Sequence, residues 1–256
     1  MITSKSNAKV KNVVALQKYA KTRAEQKAYV VEGLKMFEEL PQKSILEIYV
    51  TAEFAKKNAG ILKDLSFEIV DEKVFAQMAD TKTPQGILCV AKQLEYELKN
   101  LLENPEAFLL VLEDLQDPGN VGTIFRTAEG AGINGIILSA NCVDIYNPKT
   151  IRGTMGSIQR VPFLYTDNLI ESLEQLKVAN ITTYAAHLEG TKMYDQEDYK
   201  GGCAFLIGNE GNGLSEELTR LAEKLIKIPM KGEVESLNAA IAAAILMYEG
   251  AKQRRS

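Results

Sequence analysis

Short, continuously apolar runs alternate with helical patterns from residue 108 onward, and nothing else in the sequence limits the fold as tightly. FLLVL (Phe108–Leu112), Gly135–Leu138, Val161–Tyr165, Ile181–Ala186, Ala204–Ile207 and Leu225–Ile228 are too short for helices. They are also too uniformly apolar for strands with one face in water. Strands of this kind belong to a parallel sheet covered by helices on both faces. The first 92 residues read as a smaller α/β unit. Helix is expected over Asn7–Ala20, Gly33–Leu40 and Asp71–Ala79, the last capped by its Asp, and strand over Ala28–Glu32, Ser44–Thr51, Phe67–Val70 and Ile87–Ala91. Residues 93–106 are polar, end in Asn-Pro and read as a partly helical linker. The expected organisation is therefore α/β throughout: a domain at 1–92, a linker at 93–106 and a parallel-sheet domain at 107–256.

Composition removes several classes of function. No apolar run approaches the ~20 residues of a membrane span, and MITSKSNAKV has no apolar core, so it reads as no signal peptide. Cys89, Cys142 and Cys203 are too few and too scattered for a disulfide framework or a cysteine zinc site. With His187 as the single histidine, no metal centre is expected. A reducing compartment, the cytoplasm, fits this usage.

Charge is unevenly placed. Residues 1–30 carry Lys5, Lys9, Lys11, Lys18, Lys21, Arg23 and Lys27 against the single acid Glu25, a local excess of +6 on a chain of net charge -4. A basic end on an acidic protein points to a polyanion such as RNA; the competing reading is a solvated helix face.

Glycine-rich segments supply the candidate sites. Gly130–Gly135 (GAGING) matches a dinucleotide fingerprint but follows a helix and precedes a strand, the reverse of the order that brings a pyrophosphate to a helix N-terminus. It reads as a helix C-cap. Gly208–Ser215 (GNEGNGLS) follows a strand and opens a helix, yet Leu214 stands where a phosphate loop needs lysine. What remains is a glycine turn holding Glu210, with Ser215 as an N-cap. Asp117–Gly122 (DPGNVG) leaves the first strand of the second domain at the sheet edge where α/β folds bind ligands. Asn120 is expected near a helix N-cap, with Arg126 further along that helix. Lys227–Tyr248 reads as a strand end, a loop, then an alanine-rich helix capped by Ser236, with Asn238 at its entrance.

Taken together, these segments resemble the SpoU (TrmH) family of RNA ribose 2'-O-methyltransferases. The resemblance rests on NVGTIFRTAEGAG (Asn120 to Gly132), FLIGNEGNGLS and IPMKGEVESLNAAIAAAILMYE, in the family's order and at compatible spacing. It extends to NPKTIRGTMGSIQRVPF, and upstream to ITSKSN, YVVEG and TPQGILCV, so it spans nearly the whole chain. Thr154, Ser157 and the pair Ala239-Ala240 depart from the residues many relatives carry, and none of these is an expected catalytic group.

The resemblance implies a catalytic domain with a deep trefoil knot, a kind of threading that sequence pattern cannot reveal. It implies S-adenosylmethionine as cofactor, held around Ile207, Gly208, Ile228, Met230 and Leu237, with His187 in the pocket wall. It implies catalytic roles for Asn120, Arg126, Glu210, Ser236 and Asn238, and a homodimer that completes the site. A guanidinium stays protonated, so Arg126 is expected to clamp phosphate or a developing alkoxide and not to act as a base. Asn120 would orient Arg126 or the ribose, and Glu210 would fix the geometry of Arg126 or of Asn120. Lys5, Lys9, Lys11, Arg23 and Arg152 are the expected RNA contacts. The separate N-terminal domain favours large-subunit rRNA as substrate; tRNA, or a non-catalytic RNA- or ribosome-binding role, are the alternatives.

Overall fold

A computed structural model describes residues 1–233 and 236–255. It divides into two compact units that are not contiguous in sequence. One comprises Met1–Leu94 with Asp144–Gln159; the other comprises Glu95–Val143 and the chain from Arg160 onward.

In the first unit α1 (Ala8–Lys18) and α2 (Ala20–Gln26) precede β1 (Ala28–Glu32) and α3 (Leu34–Glu38). Then come β2 (Ile45–Thr51), α4 (Ala52–Lys57), β3 (Glu68–Val70), α5 (Glu72–Met78) and β4 (Ile87–Lys92). The sheet runs β1-β4-β2-β3, with β4 antiparallel to both neighbours and β2 parallel to β3. α1 turns Val10, Val13 and Leu16 inward at helical spacing onto Tyr49, Val74, Phe75 and Met78. The single helix expected over Asn7–Ala20 is broken at Tyr19, whose backbone is extended (φ -118°, ψ 117°). Asp71 caps α5 as expected, accepting from Lys73 N.

The stretch Asp144–Gln159 carries α8 (Pro148–Thr154) and is bound to this unit by polar contacts. Arg23 Nε donates to Asp144 Oδ2 at 2.7 Å, and Nη1 donates to the α1 carbonyls of Leu16 and Gln17 at 2.7 and 3.1 Å. Gln159 donates to the Tyr29 hydroxyl at 2.6 Å.

The second unit contains α6 (Leu98–Leu102), β5 (Phe108–Leu112), α7 (Pro118–Ala131) and β6 (Gly135–Ser139), then β7 (Phe163–Thr166), α9 (Leu169–Val178) and β8 (Thr182–Ala186). It closes with β9 (Lys192–Met193), β10 (Cys203–Ile207), α10 (Glu216–Leu221), β11 (Lys224–Lys227) and α11 (Ala239–Arg254). Its seven strands lie in the order β7-β6-β5-β10-β8-β11-β9, and every pairing is parallel. Both faces are covered, which explains the continuous apolar runs. Leu109, Val111, Ala204 and Leu206 join Leu169, Leu173 and Leu176 of α9 on one face. On the other, α11 approaches so closely that a Cβ at Gly250 would lie 2.6 Å from Phe108 Cζ. The two-residue edge strand β9 has no apolar signature and was not expected.

Candidate active site

β5 and β10 are neighbours in the middle of the sheet, paired through Leu112 and Ile207 at their carboxyl ends. α7 leads from β5 to β6 on one side, and α10 leads from β10 toward β8 and β11 on the other. The carboxyl ends of such strands are where α/β sheets hold ligands.

The loops after these strands are tied together by Glu210. Its Oε2 accepts from Gln116 N at 3.2 Å, and its Oε1 accepts from Asp117 N at 3.1 Å and Asn120 Nδ2 at 2.9 Å. Partial burial pushes the carboxyl up, but the Asn120 amide and the backbone N–H groups outweigh it and hold the group below the usual carboxylate range. Asn238 then extends the chain: its Nδ2 donates to Asn120 Oδ1 at 3.0 Å, while its own Oδ1 accepts from Ala240 N and Ile241 N. The chemistry allows one orientation. A carboxylate only accepts, so Asn120 must turn its NH2 to Glu210 and its oxygen to Asn238.

Two expected caps are reassigned. α7 begins at Pro118, and Asp117 is its N-cap, accepting from Asn120 N at 2.8 Å. Asn120 is thus inside the first turn. Asp before Pro was the readable signal, because Pro at N1 gives up an N–H that would have no partner. Likewise Asn238, and not Ser236, caps α11. Ser215 caps α10 and Gly132 ends α7 in the left-handed conformation, both as expected.

Gly208 begins a turn that folds back on itself, closed by Asn209 and Gly213 exchanging backbone hydrogen bonds at 2.9 Å. A Cβ at Gly208 would lie 2.1 Å from Gly213 C and Leu214 N, so the close approach itself demands glycine. Asn209 Nδ2 anchors the turn to the Asp114 carbonyl at 2.8 Å. Asp114 itself has a left-handed backbone (φ 53°), a strain that marks a specialised loop. Neither residue stood out in the sequence.

This turn forms one wall of a cleft of about 370 Å³, within the range of small-molecule sites. Ile207, Gly208, His187, Ile228, Met230 and Leu237 all line it, as do Glu210 and Ser236. The lining combines backbone of a glycine turn with apolar walls, a donor set suited to the adenosine half of S-adenosylmethionine. His187 Nδ1 accepts from Glu189 N at 3.3 Å.

Arg126 stands apart. It is exposed and forms no hydrogen bond or ion pair with any described residue. Six helical residues place it about 120° around α7 from Asn120. Of the two partners considered for Glu210, Arg126 and Asn120, the structure joins it to Asn120. The further option, that Asn120 orients Arg126, does not occur within this chain.

In the first unit the expected RNA contacts separate. Lys5 and Lys11 are exposed. Lys9 pairs with Glu68 at 2.7 Å and Arg152 with Asp80 at 2.6 Å, both near the surface. Arg23 is a correction: only 3% exposed, its guanidinium is committed to Asp144 and the end of α1, where no phosphate reaches it. Among the described residues no group of His, Cys, Asp and Glu is arranged to hold a metal, and no helix is long and apolar enough to cross a membrane.

An all-parallel α/β unit with a polar network and a cleft of small-molecule size at its strand ends has the form of a ligand-binding α/β domain. Comparison with known proteins narrows the class. The SpoU rRNA Methylase family profile matches residues 107–248, and the MRM3-like substrate binding domain matches residues 7–89. The 23S rRNA (guanosine(2553)-2'-O)-methyltransferase RlmP of Bacillus subtilis is 30% identical over 96% of this chain and 97% of its own. An AdoMet-bound rRNA methyltransferase from Sinorhizobium meliloti superposes with a TM-score of 0.86 at 31% identity, covering 98% of this chain and 97% of that one. The SpoU methyltransferase AviRb from Streptomyces viridochromogenes, in complex with AdoMet, shares the fold at a TM-score of 0.88 and 23% identity, covering 98% and 99%. The chain belongs to the SpoU rRNA methylase family.

Proposed function

We propose that this protein transfers a methyl group from S-adenosylmethionine to a ribose 2'-hydroxyl of RNA, with S-adenosylhomocysteine as the leaving group and the hydroxyl proton passing to water, and with 23S rRNA as the substrate. The observation that carries the reading is the chain Asn238–Asn120–Glu210, which joins the entrances of α7 and α11 to the glycine turn lining the cleft. The rRNA assignment is supported by the substrate-binding domain match and by the activity named for RlmP.

The cofactor, when bound, supplies an electrophilic methyl group on a sulfonium. Ile228, Met230 and Leu237 would offer apolar walls to its base, and the backbone at Ile207 and Gly208 its polar contacts. The remaining work is alignment of a weakly acidic hydroxyl, for which orientation supplies roughly 7–11 kcal/mol. Glu210, locked by its donors, fixes Asn120, and Asn120 fixes the α11 entrance beside the cleft. Arg126 serves as a cation for phosphate or developing alkoxide. Because it is exposed and has no partner among the described residues, we read it as acting on the site of a second copy. The half-exposed Ile241 and Tyr248 of α11 would lie in that homodimer interface. The trefoil knot that the family resemblance implies is expected around this cleft, and with rRNA as substrate the enzyme works in the cytoplasm.

Ribose-methylation mapping of total RNA from cells with and without the protein tests this reading. Loss of one 2'-O-methyl mark from 23S rRNA is the expected result. A mark lost from tRNA would keep the chemistry and overturn the substrate. No lost mark in cells that express the protein would leave a binding factor and overturn the reaction.

A further inference from the structure

A groove on the N-terminal unit has the make-up of a single-stranded RNA surface. α1 sets Lys11, Val14 and Lys18 along one stripe at i, i+3, i+7 spacing, and together with Lys5 they line a hollow of about 480 Å³. Tyr19 lines it as well. It sits at the break between α1 and α2 and is 60% exposed, a large aromatic side chain left in water. None of the residues lining the hollow is acidic. The ammonium groups of Lys5, Lys11 and Lys18 form no ion pair with any described residue, whereas the neighbouring Lys9 is held by Glu68 and Arg23 by Asp144.

Uncompensated cations around an exposed ring complement one ligand chemistry on both counts. The cations match phosphates, and the ring matches the face of an unpaired base. An acidic peptide would satisfy the lysines but leave the ring unused, and a paired helix would hide its base faces. We propose that an unpaired nucleotide of the RNA substrate stacks on Tyr19, with its flanking phosphates against Lys5, Lys11 and Lys18. This rests on the RNA substrate proposed above and adds where, and in what form, the strand is gripped.

The test uses the full-length protein and a fluorescein-labelled oligouridylate of about 12 nucleotides, a length within the span of known single-strand sites. Tyr19→Ala weakens binding by about fivefold or more, and Tyr19→Phe, which keeps the ring, restores it. The Lys11→Ala, Lys18→Ala double variant makes the dependence of log affinity on log salt shallower by about 1.4, from ~0.7 per phosphate contact on a single strand. Equal binding by Tyr19→Ala and wild type, with both folded by thermal melting, overturns the proposal. So does competition by polyglutamate as effective as that by unlabelled oligouridylate. Methylation of 23S rRNA separates the two readings. A wild type that methylates, with Tyr19→Ala unchanged in KM and in binding, removes the groove and leaves the reaction. A wild type that methylates no RNA, yet grips oligouridylate through Tyr19, removes the reaction and leaves the groove.

Discussion

Asn120 has both ends of its carboxamide engaged, on Glu210 and on Asn238, and this makes it a strut before it is anything else. Glu210 is the acceptor that the strut needs. In Glu210→Gln one oxygen must replace two, so at least one donor among Gln116 N, Asp117 N and Asn120 Nδ2 goes unpaired, at a cost of ~1 kcal/mol. The pH dependence has a definite sign. The Glu210 carboxyl is held below its ordinary value, so its contribution to stability is complete above about pH 4.3, the unfolded value, and is lost as pH falls through the lower folded value. Thermal midpoints measured from pH 6 to pH 3 should therefore fall more steeply for wild type than for Glu210→Gln; parallel curves would rule this out. Arg126 belongs to a different case. Because it is exposed and has no partner among the described residues, Arg126→Ala should leave the melting temperature and cofactor affinity nearly unchanged while methyl transfer drops by about 10²-fold or more. Calorimetric titration with S-adenosylmethionine beside a methylation assay makes the comparison, and equal loss in both would contradict the role assigned to it.

At the scale of elements, the turn Gly208–Ser215 is a structural joint as well as a cleft wall. Its closure leaves no room for a side chain at Gly208, so Gly208→Ala must open the turn. We expect loss of measurable cofactor binding together with about 1–3 kcal/mol of stability, the usual cost of forcing atoms into a packed site. Denaturant unfolding and titration calorimetry would show both. Most elements were readable: the period of α1, the continuous runs of the parallel sheet, and the caps Asp71 and Ser215 are local signals. The cap of α11 is ambiguous in sequence because Ser236 and Asn238 are equally good candidates next to its start. Only the backbone path shows which side chain faces the free N–H groups. The break at Tyr19 left no local mark, since Lys18-Tyr19-Ala20 carries neither Gly nor Pro.

At the scale of the molecule, Arg23 shows how far the chain itself overrides a local reading. In sequence it is one cation among seven; in the fold its partner Asp144 lies 121 residues away. Arg23→Ala removes a charge-assisted hydrogen bond to Asp144, which is itself partly exposed, so it should cost ~1.5–3 kcal/mol. Denaturant unfolding should report that loss; a variant of wild-type stability with weakened RNA binding would return Arg23 to the surface role. The same interaction binds Asp144–Gln159 to the N-terminal unit, although the stretch falls between β6 and β7 of the second.

Sequence alone determined the α/β class, the all-parallel character of the second sheet and the positions of the glycine turns, because each rests on periodicity or on backbone needs a few residues long. It also supplied the residues that line the cleft, through motifs that a family resemblance reads together. Only the tertiary structure decided which of them touch. Glu210 lies 90 residues from Asn120, and Asn238 lies 118 from it. A hydrogen bond over such a separation leaves no pattern in a window of sequence. The structure also separated the exposed cations from the buried one, since burial is a property of the packed whole and not of the residue.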